Sequence, residues 1–235
     1  MLYTNLIRIS RVFIPAALAM ASMLPAPAGA QDESENITLS ANVSLVSDYR
    51  FRGYSFSDED VALQGGLDLG TRAGFYVGTW ASSIDTFAGS ETEVDVYGGY
   101  GGQLGDLAYD VGMLMYVYPG SSGTSYFEGY ASLSGALGSA RWTAGTAYAF
   151  KQDNIGNGDN LYLYLDGALP LAETGFGLTA HAGYEDGSLA DKKWDWALGV
   201  SYSFDKFSLG VAYTDTDLAD RLADATVVVS LGAAF

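Results

Sequence analysis

The sequence of 235 residues lacks cysteine entirely and has a single histidine, His181. Without cysteine an exported protein forms no disulfides, and thiolate chemistry is excluded. His181 lies in "GLTAHAGY", and no Gly-x-Ser-x-Gly motif offers it a nucleophilic serine. We therefore predict that the protein is not an enzyme, and that it uses no cofactor and no catalytic metal.

Positive charge is scarce. There are 11 Lys and Arg against 28 Asp and Glu, which gives a formal net charge of −17. This balance repels a phosphate backbone, so we expect no nucleic-acid partner. The acidic clusters at 58–60 and at Asp215, Asp217 and Asp220 carry the oxygen ligands that Ca²⁺ accepts, but neither has the spacing of an EF-hand loop. We interpret both as solvated loops.

Long apolar runs are confined to the N-terminal segment. Residues 1–30 have two arginines, an apolar stretch over 12–24 and the small-residue ending Ala28-Gly29-Ala30, the order of a secretory signal peptide. The stretch is interrupted by Pro15 and is shorter than the roughly 20 apolar residues of a spanning helix. We predict a signal peptide over 1–30 and one domain over 31–235, in which any membrane crossing is made by strands.

The remaining sequence alternates with a period of two. From Thr38, the residues Leu39, Ala41, Val43 and Leu45 share one face, and small polar residues share the other. Together with the first, there are about twelve such segments, each near ten residues long, which suits a tilted strand in a bilayer.

The connections between these segments are alternately short and long. Short links occur at 70–74, 102–106, 137–139 and 205–206, and longer polar ones at 53–60, 84–90, 119–125, 152–159, 186–193 and 214–224. Outer-membrane barrels have short periplasmic turns and longer outer loops. The pattern predicts an all-β fold, an up-and-down antiparallel transmembrane β-barrel of about twelve strands.

Alternation alone also allows a soluble barrel with its apolar face inward. The polar face, however, is mostly Gly, Ser, Thr, Ala and Tyr, and after residue 30 the only lysines are Lys151, Lys192, Lys193 and Lys206. Small polar side chains suit a wet lumen better than a soluble exterior. Aromatic residues near strand ends then predict girdles at the bilayer interfaces: Tyr49, Phe51, Trp142, Tyr184, Trp194 and Phe204.

The closing segment "ATVVVSLGAAF" alternates and ends on Phe235. By likeness to known barrels, such an ending is the signal that the barrel-assembly machinery recognises. We predict a protein of the Gram-negative cell outer membrane, exported through the periplasm after signal-peptide cleavage and surrounded by lipids and lipopolysaccharide.

The strand register directs a set of charged residues inward. The predicted pore-lining candidates are Asp48, Arg50, Arg52, Asp68, Asp95, Asp110, Glu128, Arg141, Asp166 and Asp195, with Glu93 and Lys151 on the same face. Acids outnumber bases, which predicts a weakly cation-preferring channel for ions and small solutes. Twelve strands predict a narrow pore, and inward loops or Tyr162 and Tyr164 can block part of it. A closed barrel with a structural or surface-interaction role stays open as an alternative.

The stretch "SDYRFRGYS" interleaves arginines and aromatics. Read as the end of the first strand, it places Arg50 and Arg52 beside Asp48 on the lumen face, with Tyr49 and Phe51 in the outer girdle. We expect these arginines to balance lumen acids at a constriction rather than to bind an anion.

The segment "LVSDYRFRGYSFSDEDVALQGGLDLGTRAGFYVGTWASSID" (45–85) resembles the opening of the TorF-type, Gcw_chp-like porin family of proteobacteria, exported proteins of unknown function. The pieces "VDVYGGYGG", "LAYDVGMLMYVYPG" and "YFEGYASLSG" are similar to the next landmarks of that family, in the same order. The resemblance implies an outer-membrane porin and supplies no catalytic or ligand residues. Tyr54-Ser55-Phe56 is bulkier than the corresponding family pattern.

Overall fold

The computed structural model describes residues 37–156 and 158–235, so the signal peptide predicted over 1–30 lies outside the described residues. The strands are β1 (Ile37–Val46), β2 (Arg50–Phe51), β3 (Tyr54–Ser55), β4 (Ala62–Thr71), β5 (Phe75–Phe87), β6 (Ser90–Leu104), β7 (Leu107–Val117), β8 (Tyr126–Leu137), β9 (Ala140–Ala149), β10 (Asn160–Pro170), β11 (Phe176–Gly187), β12 (Lys193–Phe204), β13 (Phe207–Thr216) and β14 (Thr226–Ala234). Two short 3₁₀ turns are at Asp153–Ile155 and Arg221–Ala223. Within these residues no helix has the length and apolar character needed to cross a membrane.

Twelve strands form one closed barrel, in which β1 pairs with β4 on one side and with β14 on the other. Every pairing is antiparallel. The closing pair runs from Asn42 opposite Ala234 to Val46 opposite Ser230. Beyond it, the Phe235 N–H donates to the Ala41 carbonyl at 2.8 Å. The predicted antiparallel barrel of about twelve strands is confirmed, and its closure leaves no unpaired strand edge around the wall.

The outer surface is a belt of aliphatic side chains. Leu39 on β1 is 68% exposed and Leu198 on β12 is 64% exposed, and the other outward positions of the strands follow the same pattern. In water such a continuous apolar surface would be costly, whereas lipid stabilises it. Trp194 and Phe204, at opposite ends of β12, also project outward, as the predicted girdles require.

The two ends of the barrel differ. Tight turns join the strands at one end, and at three of them Gly105, Gly138 and Asp205 have positive φ. At the other end are longer connections: 47–61, 118–125, 150–159, 188–192 and 217–225.

The prediction of a long loop at 84–90 is wrong. Strand β5 continues to Phe87 and β6 begins at Ser90, so Ala88 and Gly89 alone make the turn. The register of the hairpin shifts between Ser83 and Phe87. Its polar residues resemble a loop because this hairpin continues beyond the apolar belt.

Glycine on the inner wall makes room for tyrosine. A Cβ added at Gly112 would collide with the Tyr130 hydroxyl, and one added at Gly145 would collide with the Tyr164 ring. Tyrosines of neighbouring strands therefore lie across glycines, with their hydroxyls in the lumen. The polar inner face thus holds aromatic rings without widening the barrel.

Candidate functional site

Residues 47–61, which connect β1 to β4 and which we call the lumen loop, fold back inside the barrel. Arg50 is 6% exposed and Arg52 8%, and their neighbours from Asp48 to Gly53 are buried as well. At its centre β2 pairs with β3 across Arg52 and Gly53, whose φ values are 48° and 83°. Two positive φ values are what a tight type I′ hairpin requires. The prediction that this stretch extends the first strand is wrong.

Arg52, at the tip of this hairpin, reaches across the lumen. Its Nη1 donates to Glu185 Oε1 and its Nη2 to Glu128 Oε2, both at 2.6 Å. Glu185 is on β11, which three strands (β12–β14) separate from β1. Glu128 is on β8, which four strands (β4–β7) separate from β1 on the other side. The loop that leaves the wall at β1 is therefore fastened to the opposite wall.

Lys193 completes a cluster of four charges with Arg52, Glu128 and Glu185. Its Nζ donates to Glu185 Oε2 at 2.6 Å and to the Arg52 carbonyl at 2.7 Å. All four side chains are at least nine-tenths buried. Burial by itself lowers the pKa of the Arg52 guanidinium, but Glu128 and Glu185 outweigh it and raise that pKa above its ordinary value. Two acids and two bases leave the cluster neutral, as burial demands.

The Arg52 guanidinium also lies over aromatic rings. Its carbon is 4.4 Å from the centroid of Tyr162 and 4.7 Å from that of Phe51. The two acids also accept hydrogen bonds from uncharged side chains. Tyr116 Oη donates to Glu128 Oε2 at 2.8 Å, and Asn160 Nδ2 donates to Glu185 Oε1 at 2.9 Å. The guanidinium is held at its edge by carboxylates and on its faces by rings, the geometry of a cation–π site.

Arg50 secures the base of the lumen loop. Its Nε donates to Asp48 Oδ2 at 2.5 Å, and its Nη1 donates to the Leu222 carbonyl at 2.8 Å. Asp48 Oδ1 in turn accepts from the Ser55 hydroxyl at 2.6 Å. Both arginines of "SDYRFRGYS" are thus paired within the protein.

The aromatic residues of the lumen loop pack against the inner wall. The rings of Tyr49 and Trp80 meet edge to face at 5.4 Å, and those of Phe51 and Tyr116 at 5.7 Å. The girdle predicted for Tyr49 and Phe51 is wrong, because the turn back into the barrel carries both rings inside. Tyr49 Oη also donates to Glu93 Oε1 at 2.9 Å.

Glu93 and Asp95, two positions apart on the inner face of β6, are 0% and 1% exposed. Neither forms an ion pair within residues 37–156 and 158–235. Strand β6 therefore carries two buried carboxyl groups inside the barrel that no basic side chain of the described residues pairs with. Among the described residues, no three His, Cys, Asp or Glu side chains are grouped to hold a metal ion.

His181 lies between two carboxylates midway along the wall. Its Nδ1 is 2.6 Å from Asp166 Oδ1, and its Nε2 is 2.9 Å from Asp195 Oδ1 and 2.9 Å from Tyr162 Oη. An imidazole that faces a carboxylate at each nitrogen can donate to both only as the imidazolium. In the described part of the chain its hydrogen-bond partners include no serine, so the geometry provides no nucleophile.

The predicted lining residues differ in their surroundings. Asp95, Asp110, Glu128, Asp166 and Asp195 project from strands into the interior and are buried. Asp68 is half-buried and accepts from Tyr97 Oη at 2.6 Å, and Arg141 is exposed on the inner face of β9. Asp48, Arg50 and Arg52 belong to the lumen loop instead of the wall, and Lys151 is exposed after the end of β9.

Two residues of the charge cluster, Glu185 and Lys193, were missed by the sequence reasoning. Both were within its reach, because they alternate with the outward residues Tyr184 and Trp194. The same period that placed Asp195 inside places them inside.

A closed antiparallel barrel of twelve strands, aliphatic outside and charged within, is a porin-like barrel. The chain belongs to the bacterial family described as "Bacterial protein of unknown function (Gcw_chp)", whose model matches residues 30–235. No curated protein matches the chain in sequence.

Solved outer-membrane channels share the fold. A KdgM porin matches with a TM-score of 0.60 at 9% identity, over 83% of this chain and 98% of that chain. A NanC porin matches with a TM-score of 0.51 at 14% identity, over 84% and 99% respectively. An outer-membrane channel from Pseudomonas putida F1 matches with a TM-score of 0.53 at 10% identity, over 87% and 98%. At such identities the likeness concerns the fold alone.

Proposed function

We propose that this protein is a narrow passive channel for ions and small solutes in the cell outer membrane, with a weak preference for cations. The observation that carries the proposal is the acidic excess inside the barrel. Asp68 and Asp110 on the inner wall form no ion pair among the described residues, whereas Arg52 and Lys193 are neutralised by Glu128 and Glu185. Uncompensated carboxylates along a lumen attract cations and repel anions.

The narrowness of the channel is supported by the lumen loop. It fills the barrel at the end of the long loops, where its side chains reach both β8 and β11. Toward the tight-turn end the inner wall opens, since Asp68 is half-buried and Ser40 and Arg141 are exposed. We infer a vestibule that leads to a constriction at the lumen loop.

The test is the reversal potential of the refolded protein in a planar bilayer under a KCl gradient. A small potential of the cation-selective sign is expected. A clear potential of the anion-selective sign would refute the preference, and the absence of any conductance would refute the channel.

A closed barrel with a structural or surface-interaction role is the second candidate. It is favoured by the burial of the lumen loop, whose residues Asp48 to Gly53 leave little of their surface accessible. Liposome swelling with sugars of graded size separates the two functions. If a folded barrel passes no sugar and no ions, the closed form is correct.

We further propose the cellular setting. Residues 1–30 would direct export and be removed, and the strand that ends at Phe235 would be recognised by the barrel-assembly machinery. The apolar belt suits lipids and lipopolysaccharide as neighbours. The TorF-type porin resemblance of residues 45–135 belongs to this proposal. Mass spectrometry of the N-terminus of the exported protein tests the cleavage after Ala30.

A further inference from the structure

We propose that the lumen contains a binding site for small guanidinium-type cations, and that Arg52 of the protein itself occupies this site. The inference rests on the proposed channel function, and it names the class of solute that the constriction recognises. The site consists of Glu128, Glu185 and the ring of Tyr162, all of which belong to the barrel wall. Arg52 is brought to them by the lumen loop.

The site has the chemistry of guanidinium recognition. Two carboxylate oxygens from different strands accept from the two terminal nitrogens of Arg52 at the same distance, 2.6 Å. The ring of Tyr162 lies 4.4 Å from the guanidinium carbon. A planar cation with several in-plane donors satisfies all three contacts, whereas an ammonium group is a compact point charge without such a fork.

The wall components are held without the help of Arg52. Tyr116 donates to Glu128 and Asn160 donates to Glu185, so the acids stay oriented when the guanidinium is absent. Lys193 neutralises one carboxylate through Glu185 Oε2. Removal of the Arg52 side chain therefore leaves the site one positive charge short, and leaves a space the size of the lost group.

The ligand that restores this balance is a free guanidinium ion of the same shape. Methylguanidinium reproduces the end of an arginine side chain, and methylurea is its neutral planar counterpart. In the wild-type protein the tethered Arg52 competes with the free cation, so binding there should be much weaker. When the lumen loop moves away and takes Arg52 out of the site, the site would accept solutes that carry a guanidinium group.

The experiment measures the binding of methylguanidinium to refolded barrels by calorimetry and by the shift in unfolding temperature. We expect saturable binding to Arg52→Ala, at least tenfold tighter than to the wild type, and no binding of methylurea. Arg221→Ala is the matched control, because Arg221 also pairs with two acids, Asp58 and Glu59, but on the exposed surface. It should gain no such site.

The double variant Arg52→Ala with Glu185→Gln should lose the gained binding. If Arg52→Ala does not refold, Arg52→Gly replaces it, because glycine leaves the same space and accepts the positive φ of 48° at this position without strain. The proposal is overturned if a folded Arg52 variant binds methylguanidinium no better than the wild type, or if Glu185→Gln leaves the gained binding unchanged.

Conductance of the same variants separates this proposal from the channel function. Saturable binding to a barrel that never conducts supports the site and refutes the channel. Conductance without binding refutes the site and supports the channel. Block of the Arg52→Ala current by methylguanidinium, with methylurea inactive, supports both.

Discussion

Replacement of Gly53 by alanine should loosen the lumen loop from its docked position. Gly53 has a φ of +83°, and an added Cβ would collide with Thr216 Cγ2 and come within 3.0 Å of Asp195 Cβ. A left-handed backbone costs a non-glycine residue about 1–2 kcal/mol. Overpacking of a tight contact typically adds about 1–3 kcal/mol.

Together these penalties disfavour the docked loop by about 2–5 kcal/mol. Since about 1.4 kcal/mol corresponds to a factor of ten, the ratio of docked to undocked loop should fall about thirtyfold to several thousandfold. Two measurements report this change. Hydrogen exchange of residues 47–61 reports the loop itself, and single-channel conductance reports the opening of the constriction.

Gly89→Ala is the matched control. Gly89 has a φ of +89°, but no atom lies within 4 Å of an added Cβ, so the substitution has the backbone penalty without the collision. We expect Gly53→Ala to lose protection in the loop and to conduct more, and Gly89→Ala to behave as the wild type. If Gly53→Ala retains full protection of residues 47–61, the close contact of Gly53 with Thr216 and Asp195 does not hold the loop.

Three further outcomes are expected. Tyr49→Phe removes a hydroxyl that donates to the buried Glu93, and should lower the free energy of unfolding in urea by about 1–3 kcal/mol. The control Tyr148→Phe alters an exposed hydroxyl and should change this free energy by less than about 0.5 kcal/mol. Arg141→Ala removes an exposed positive charge from the inner face and should move the reversal potential in the cation-selective direction; no movement would place Arg141 outside the ion path. His181→Gln replaces a cation between two carboxylates with a neutral amide and should move the potential in the same direction, and an unchanged potential would contradict the imidazolium assignment.

The barrel was predictable because a period of two and the alternation of turn lengths are local signals. Apolar residues such as Leu39 and Leu198 identify the outward face of their strands, because side chains alternate between the two faces. Short connections imply that consecutive strands are antiparallel neighbours. The inward direction of Asp95 and Asp195 follows from the same period. These parts of the fold needed no knowledge of distant contacts.

The lumen loop was not predictable in this way. Alternation is interrupted only at Val46 and Ser47 and resumes through Tyr49 and Phe51, so the sequence pattern does not distinguish a longer strand from a chain that turns back. The turn itself is Arg52-Gly53 rather than the Asn-Gly or Asp-Gly that commonly marks a type I′ hairpin. The lumen loop is directed inward by its contacts with residues on distant strands, and a local sequence pattern carries no information about such contacts.

The partners of the lumen loop are separated from it by long stretches of sequence. Arg52 lies 133 positions from Glu185, and Arg50 lies 172 positions from Leu222. Closing a loop of such length costs conformational entropy before the contact is gained, so we expect these contacts to form late. Until then Glu128 and Glu185 would face a hydrated lumen, and the arrival of the loop would displace the water around these two acids. Docking of the loop would therefore come late in folding, and it would turn a wide water-filled barrel into one with a narrow constriction.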